Sequence, residues 1–217
     1  MKITKRTEGI STTDILGRIL DLKDKKDHSA DVKDEAVRFV NKASMLEQFM
    51  KPHAPKPGQK IVYVDGSLDL LHPGHVAFLK AAKAKGDYLI VGVHGNDTIH
   101  KRKGPGFPVI DLDERVLCVL AMKYVDDVVI GAPQRPNQAF LKRLGINLVL
   151  SGKNGEVDTL DSYKFAKDLG IYEELDIGKV LTSKELIGRI QSNEAVLKDI
   201  FAKKKKKQDD MYKEIMH

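Results

Sequence analysis

Two histidines three residues apart, His72 and His75, enclose Pro73 and Gly74 and follow the string Asp65-Gly66-Ser67-Leu68-Asp69-Leu70-Leu71. Side chains at this spacing share one side of a helix. At a helix start they would join unpaired backbone N–H groups and a dipole that already favours anions. Pro73 has the fixed φ of a first helical turn, and Gly74 would leave room for a phosphate between the two rings. Gly66 would let a ligand approach the backbone at the preceding strand end. Phosphate binding is the chemistry this pattern suits; a metal pair is the other reading of two histidines so spaced.

The surrounding elements must place that turn. Ile61 to Val64 reads as a strand, the segment carrying Val76, Phe78, Leu79 and Ala82 as a helix stopped by Lys85-Gly86, and Tyr88 to Val93 as a second strand. A long helix over Leu112 to Tyr124, a third strand over Val125 to Ile130, a short helix from Ala139 to Leu144 and a fourth strand from Asn147 to Leu150 complete the pattern. Strands without alternation, separated by helices, imply an α/β domain with a doubly wound, Rossmann-like parallel sheet. Such sheets bind ligands at the carboxyl ends of their strands.

Composition narrows the class. There is no long apolar run and no basic-then-apolar leader, so a protein without a membrane span, in the cytoplasm, is expected. Five of the six net positive charges lie in the run Lys203 to Lys207, which leaves the body nearly neutral. A lysine run without interleaved aromatics reads as a solvated tail and not as a specific nucleic-acid site. The only cysteine, Cys118, reads as a core helix position and excludes a disulfide framework. Residues 21–35 are dense in both charges, and three prolines and a glycine follow within Lys51 to Gly58. Residues 21–59 are therefore expected to be a linker. There is also an internal echo: residues 9–19 and 180–190 each carry a Ser/Thr pair, an acidic residue, two large aliphatics and Gly-Arg-Ile.

The string from Asp65 to His75 resembles the HxGH signature of the nucleotidyltransferase superfamily, with Leu68 where phenylalanine is commoner. Gly95-Asn96-Asp97, Lys101-Arg102-Lys103-Gly104, Asp113-Glu114-Arg115 and Tyr124-Val125-Asp126-Asp127-Val128-Val129-Ile130-Gly131-Ala132-Pro133 are similar to successive motifs of its cytidylyltransferase branch. Arg6-Thr7-Glu8-Gly9-Ile10-Ser11-Thr12-Thr13 resembles the motif that closes such a domain, yet here it precedes HxGH. Ethanolamine-phosphate cytidylyltransferases contain two such domains in tandem. The resemblance therefore implies that residues 1–20 close a first domain lying outside this chain, that 60–200 form a second, and that 201–217 are a basic tail.

The resemblance also implies roles. CMP would pass from CTP to phosphoethanolamine, giving CDP-ethanolamine and pyrophosphate, with Mg²⁺ bridged by the triphosphate and Asp69 or Asp97 nearby; no metal site made by the protein alone is expected. His72, His75 and Lys103 would be catalytic. Gly66, Ser67, Leu68, Asp69, Gly74, Ser151, Gly152, Lys153, Asn154, Thr182 and Ser183 would bind nucleotide, and Asp97 and Arg115 the second substrate. Arg6, Thr7, Gly9, Ser11 and Thr12 would be CTP contacts of the other domain. A homodimer, or pairing with a complete cytidylyltransferase domain, fits this layout.

Two departures stand out. Ile177, Gly178 and Val180 replace the arginine, threonine and glycine of the closing motif, and Ser151-Gly152-Lys153-Asn154 replaces an H-G-x-D-like turn. They keep open a catalytically weak, nucleotide-binding regulatory half, and choline-phosphate or glycerol-phosphate as the acceptor.

Overall fold

The computed structural model describes residues 12–23, 54–153, 161–200, 202–204 and 206. Five strands, β1 (Ile61–Gly66), β2 (Tyr88–His94), β3 (Asp127–Ala132), β4 (Leu148–Gly152) and β5 (Tyr172–Leu175), pair in the order β3-β2-β1-β4-β5, every pair parallel. The chain runs outward from β1 through β2 to β3, then crosses back to β4. That reversal makes the carboxyl end of β1 the topological switch point where such sheets take ligands.

The helices are α1 (Thr12–Leu20), α2 (Pro73–Lys83), α3 (Asn96–Lys103), α4 (Leu112–Leu120), α5 (Gln138–Arg143), α6 (Lys164–Asp168) and α7 (Ser183–Ser192). Alternate residues of β1 and β2 face opposite cores. Val62, Val64, Leu89, Val91 and Val93 pack with Leu79 and Ala82 of α2 and Val116 and Val119 of α4. Ile61, Tyr63, Tyr88 and Ile90 pack with Leu141 of α5 and Ala166 of α6. Both faces are therefore covered, which is why the strand sequences run continuously apolar. The described residues fall into two compact units, one within Met1–Lys25 and Lys184–His217, the other within Lys26–Ser183. The sheet and the HxGH turn belong to the second.

The fold class expected from the sequence is the one observed, with corrections to its elements. The helix expected to reach Tyr124 ends at Leu120, where the chain turns with Met122 N–H on Val119 O and Val125 N–H on Met122 O, and β3 starts at Asp127, with Asp126 Oδ2 accepting from Leu89 N–H at 2.7 Å and Lys83 Nζ at 2.5 Å. Cys118 is exposed and not a core residue, since Arg115, Val116 and Val119 take the buried stripe of α4. Three elements are additional. α3, read from sequence as a turn, contains a single buried apolar residue, Ile99; its charges run from Asp97 in the first turn to His100, Lys101, Arg102 and Lys103 in the last, the order the helix dipole favours. α6 is one turn long, and β5 is a charged edge strand, Tyr-Glu-Glu-Leu, of the kind that resists further strand pairing.

At Gly92 of β2 the neighbouring strands leave no room for a side chain. A Cβ there would meet the Tyr63 hydroxyl, Ala132 Cβ at 2.8 Å and Asp65 Cβ at 2.9 Å. Gly92→Ala is expected to lower unfolding free energy by about 1–3 kcal/mol through overpacking, measured by urea denaturation; an unchanged midpoint would refute this packing account.

Candidate active site

From Gly66 the chain turns through Ser67-Leu68-Asp69-Leu70 into α2. Leu68 and Leu70 have φ of +47° and +51°, a left-handed conformation that leucine rarely adopts. Both side chains are buried, and that burial holds the strained turn in place.

Asp69, 2% exposed, sits inside the turn. Its Oδ2 accepts from Val109 N–H at 2.8 Å and its Oδ1 from Ile110 N–H at 3.0 Å, so both oxygens clamp the loop that leads to α4. Burial raises its pKa, opposed by these two amides and by the charges of Arg115 and Lys103. Arg115, 1% exposed, completes the clamp. Nε donates to Ile110 O at 2.9 Å, one terminal nitrogen to Ser67 O at 2.7 Å and His94 O at 2.8 Å, and the other to Asn96 Oδ1 at 2.8 Å. Burial pushes the guanidinium down to about 10, still cationic at neutral pH. The sequence reading gave Arg115 to the substrate phosphate; the structure gives its described bonds to the protein frame.

His72 is the N-cap of α2 and Pro73 its first residue. Gly74 N–H donates to His72 Nδ1 at 3.2 Å, and His72 N–H donates to His75 Nδ1 at 3.3 Å, a reciprocal capping box made by two imidazoles. The rings stack with centroids 3.9 Å apart and planes 28° apart. Burial, then the neighbouring His72 and Lys103, lower His75 to about 3, so at neutral pH it is uncharged. Lys103, the last residue of α3, lies over the Phe107 ring at 5.9 Å and acts electrostatically on both His75 and Asp69. The room expected at Gly74 is taken on one side by the protein itself: a Cβ there would collide with Leu181 O and the His72 ring.

The remaining predicted residues divide. Ser183 meets the turn, with Oγ 3.2 Å from His72 Nε2 and donating to Asp69 O at 3.2 Å, and Thr182 precedes it, half-buried. Ser151 Oγ lies 2.6 Å from Tyr172 Oη, and Lys153 Nζ donates to Asp176 at 3.1 Å, so these two residues bond toward β5 and the segment after it. Gly152 ends β4, and Asp97 is exposed on α3. Asn154 and the orphan residues Arg6, Thr7, Gly9 and Ser11 lie outside the described residues, while Thr12 opens α1.

Sequence reasoning missed a buried polar cluster on the α5–α6 face. Tyr163 Oη donates to Asp65 Oδ1 at 2.7 Å, and His94 Nε2 is 3.8 Å from the same oxygen. The Tyr63 hydroxyl, Asp65 Oδ2 and both His94 ring nitrogens are buried without a hydrogen-bond partner. The available signal was polarity at alternate positions 63 and 65 of an otherwise apolar strand. Among the described residues no group of three or more His, Cys, Asp or Glu is placed to hold a metal ion, and no helix is long and apolar enough to cross a membrane.

The molecule is thus a parallel α/β sheet with two stacked imidazoles at the helix start beside its switch point. The chain belongs to the cytidylyltransferase-like family, whose model matches residues 63–210. It is 40% identical to an ethanolamine-phosphate cytidylyltransferase of Dictyostelium discoideum, covering 88% of this chain and 60% of that protein, and 33% identical to one of Mus musculus, covering 87% and 57%. It is also 40% identical over 114 residues to an FAD synthase of Pyrococcus horikoshii, covering 52% of this chain and 76% of that one. The chain thus spans somewhat over half the length of the cytidylyltransferases it matches.

Arg115→Lys removes a planar fork that an ammonium cannot reproduce. It is expected to cost roughly 2–5 kcal/mol of stability, because buried carbonyls lose their donors; a solvent-facing substrate contact would leave the denaturation midpoint unchanged. The His75 shift gives a pH prediction with a definite sign. A histidine depressed from 6.5 to about 3 contributes stability that is whole above pH 6.5 and is lost as pH falls toward 3. The slope is up to about 1.4 kcal/mol per pH unit. His75→Asn should flatten the difference between unfolding free energies measured at pH 7 and pH 5.

Proposed function

We propose that the HxGH turn is the CMP-transfer site of an ethanolamine-phosphate cytidylyltransferase. A non-bridging oxygen of phosphoethanolamine bonds to the α-phosphorus of CTP as the bond to the bridging α–β oxygen breaks, and pyrophosphate leaves with that electron pair. The nucleophile is already ionised, so no strong base is required. The obstacle is negative charge, and positioned donors lower it. The observation that carries this reading is the stacked His72–His75 pair at the start of α2, at the switch point of the sheet, with the Lys103 cation acting on it.

In this reading His75 donates its Nε2–H to a phosphate oxygen, His72, whose own N–H faces Ser183 Oγ, holds that ring in place by stacking, and Lys103 supplies a cation for the α/β-phosphates or the attacking phosphate. The backbone of 66–68 lines the nucleotide. Mg²⁺ would accompany CTP and offset charge on its phosphates. Asp69 is a poor ligand for it, since both its oxygens are committed to backbone amides; Asp97 is the exposed carboxylate on α3. The cytoplasm is the proposed compartment, with a homodimer or a complete cytidylyltransferase domain as partner.

A second reading has a specific observation in its favour. The segment before Ser183 carries Ile177, Gly178 and Val180 in place of the closing motif's arginine, threonine and glycine. That suits a nucleotide-binding half that regulates a complete domain. Turnover measured with CTP or ATP against phosphoethanolamine, phosphocholine and glycerol phosphate decides between them. CDP-ethanolamine formation that falls by about 100-fold or more in His75→Ala is expected for a transition-state donor. CTP binding with no turnover on any acceptor would establish the regulatory reading instead.

A further inference from the structure

The hydrogen bonds around His72 agree on where its proton sits. Gly74 N–H donates to Nδ1, so Nδ1 is the bare nitrogen and Nε2 carries the hydrogen. Nε2 lies 3.2 Å from Ser183 Oγ, and the single hydroxyl proton of Ser183 is directed to the Asp69 carbonyl at 3.2 Å. The lone pairs of the serine oxygen therefore face the imidazole N–H. The chain of donors runs from His72 through Ser183 to the backbone of Asp69, whose carboxylate in turn holds the loop at Val109 and Ile110.

We propose that Ser183 is a positioning residue for His72, fixing its ring and its Nε2–H tautomer through the relay to Asp69 O. Backbone N–H groups at the start of α2 constrain one edge of the imidazole; Ser183 constrains the other, and together they hold the ring stacked on His75. The carbonyl of Leu181, packed where a Cβ of Gly74 would lie, sets the approach of the segment that carries the serine. Sequence reasoning gave Ser183 to the nucleotide because a hydroxyl at a helix start caps phosphates. The geometry gives that hydroxyl to a histidine and a carbonyl. The orientation of the ring stacked on His75 is thus set by a residue 111 positions away in sequence.

The inference rests on the proposed CMP-transfer site, where His72 is the ring stacked on His75, so its test includes a readout independent of turnover. In protein labelled with ¹⁵N-histidine, long-range proton–nitrogen correlation spectra should give His72 a pyridine-like Nδ1 and a pyrrole-like Nε2. Ser183→Ala should move both nitrogens toward averaged values, leave the His75 signals in place as a check on folding, and lower kcat roughly fivefold to tenfold at nearly constant KM for CTP, the effect of one hydrogen bond. Ser183→Thr, which keeps the hydroxyl, should restore the spectrum and most of kcat. Unchanged His72 nitrogens in Ser183→Ala would overturn the proposal, and a large rise in KM for CTP with that unchanged spectrum would make Ser183 a nucleotide contact. If the wild-type protein proves inactive, the cytidylyl-transfer reading fails while the spectra still decide the role of Ser183.

Discussion

Parallel strands that stop at a sheet edge leave carbonyl groups with no ladder partner, and here one buried guanidinium gathers them. Arg115 bonds to the carbonyls of Ser67 after β1, His94 at the end of β2 and Ile110 before α4, and to the side chain of Asn96 at the start of α3. No other side chain type offers five donors in a rigid fork. Burial of its charge is offset by these acceptors and by the Asp69 carboxylate beside it. Asp69 holds the adjoining amides of Val109 and Ile110, so the two residues together fix the β1 turn, the end of β2 and the loop before α4 as one body. The two leucines in left-handed conformations persist because this frame and their own burial over-determine them.

On that frame the histidines are arranged as neutral donors. Each accepts a backbone N–H at Nδ1, which leaves its hydrogen at Nε2, and stacking at 3.9 Å would be repulsive between two imidazolium rings. Positive charge reaches the site instead from Lys103, at the carboxyl end of a different helix. Lys103 supplies permanent charge, while the two rings are held in place by the backbone N–H groups their Nδ1 atoms accept and by stacking.

Much of this was legible in the residues. Continuous apolar runs announced β1, β2 and β4, because strands covered on both faces have no polar alternation to confuse them. Pro73 after His72 announced the start of α2. Charge hid the rest. α3 has one buried residue and β5 is a charged edge, so neither carries a hydrophobic period, and Cys118 fell on the exposed side of a helix whose register only packing could set. A lone arginine or aspartate in sequence reads as solvated, yet Arg115 and Asp69 are among the most buried polar residues described.

By itself the sequence determined the layered α/β fold and the strand–turn–helix that bears the histidines, because each of these follows from local pattern. Tertiary structure alone decided who holds whom. Arg115 became an internal clamp, Ser151 and Lys153 bonded toward the β5 side, and Ser183 met His72 across 111 intervening steps of chain. Those pairings depend on which strand ends lie side by side, and that is fixed by the crossing from β3 back to β4, a long-range event that no window of sequence contains.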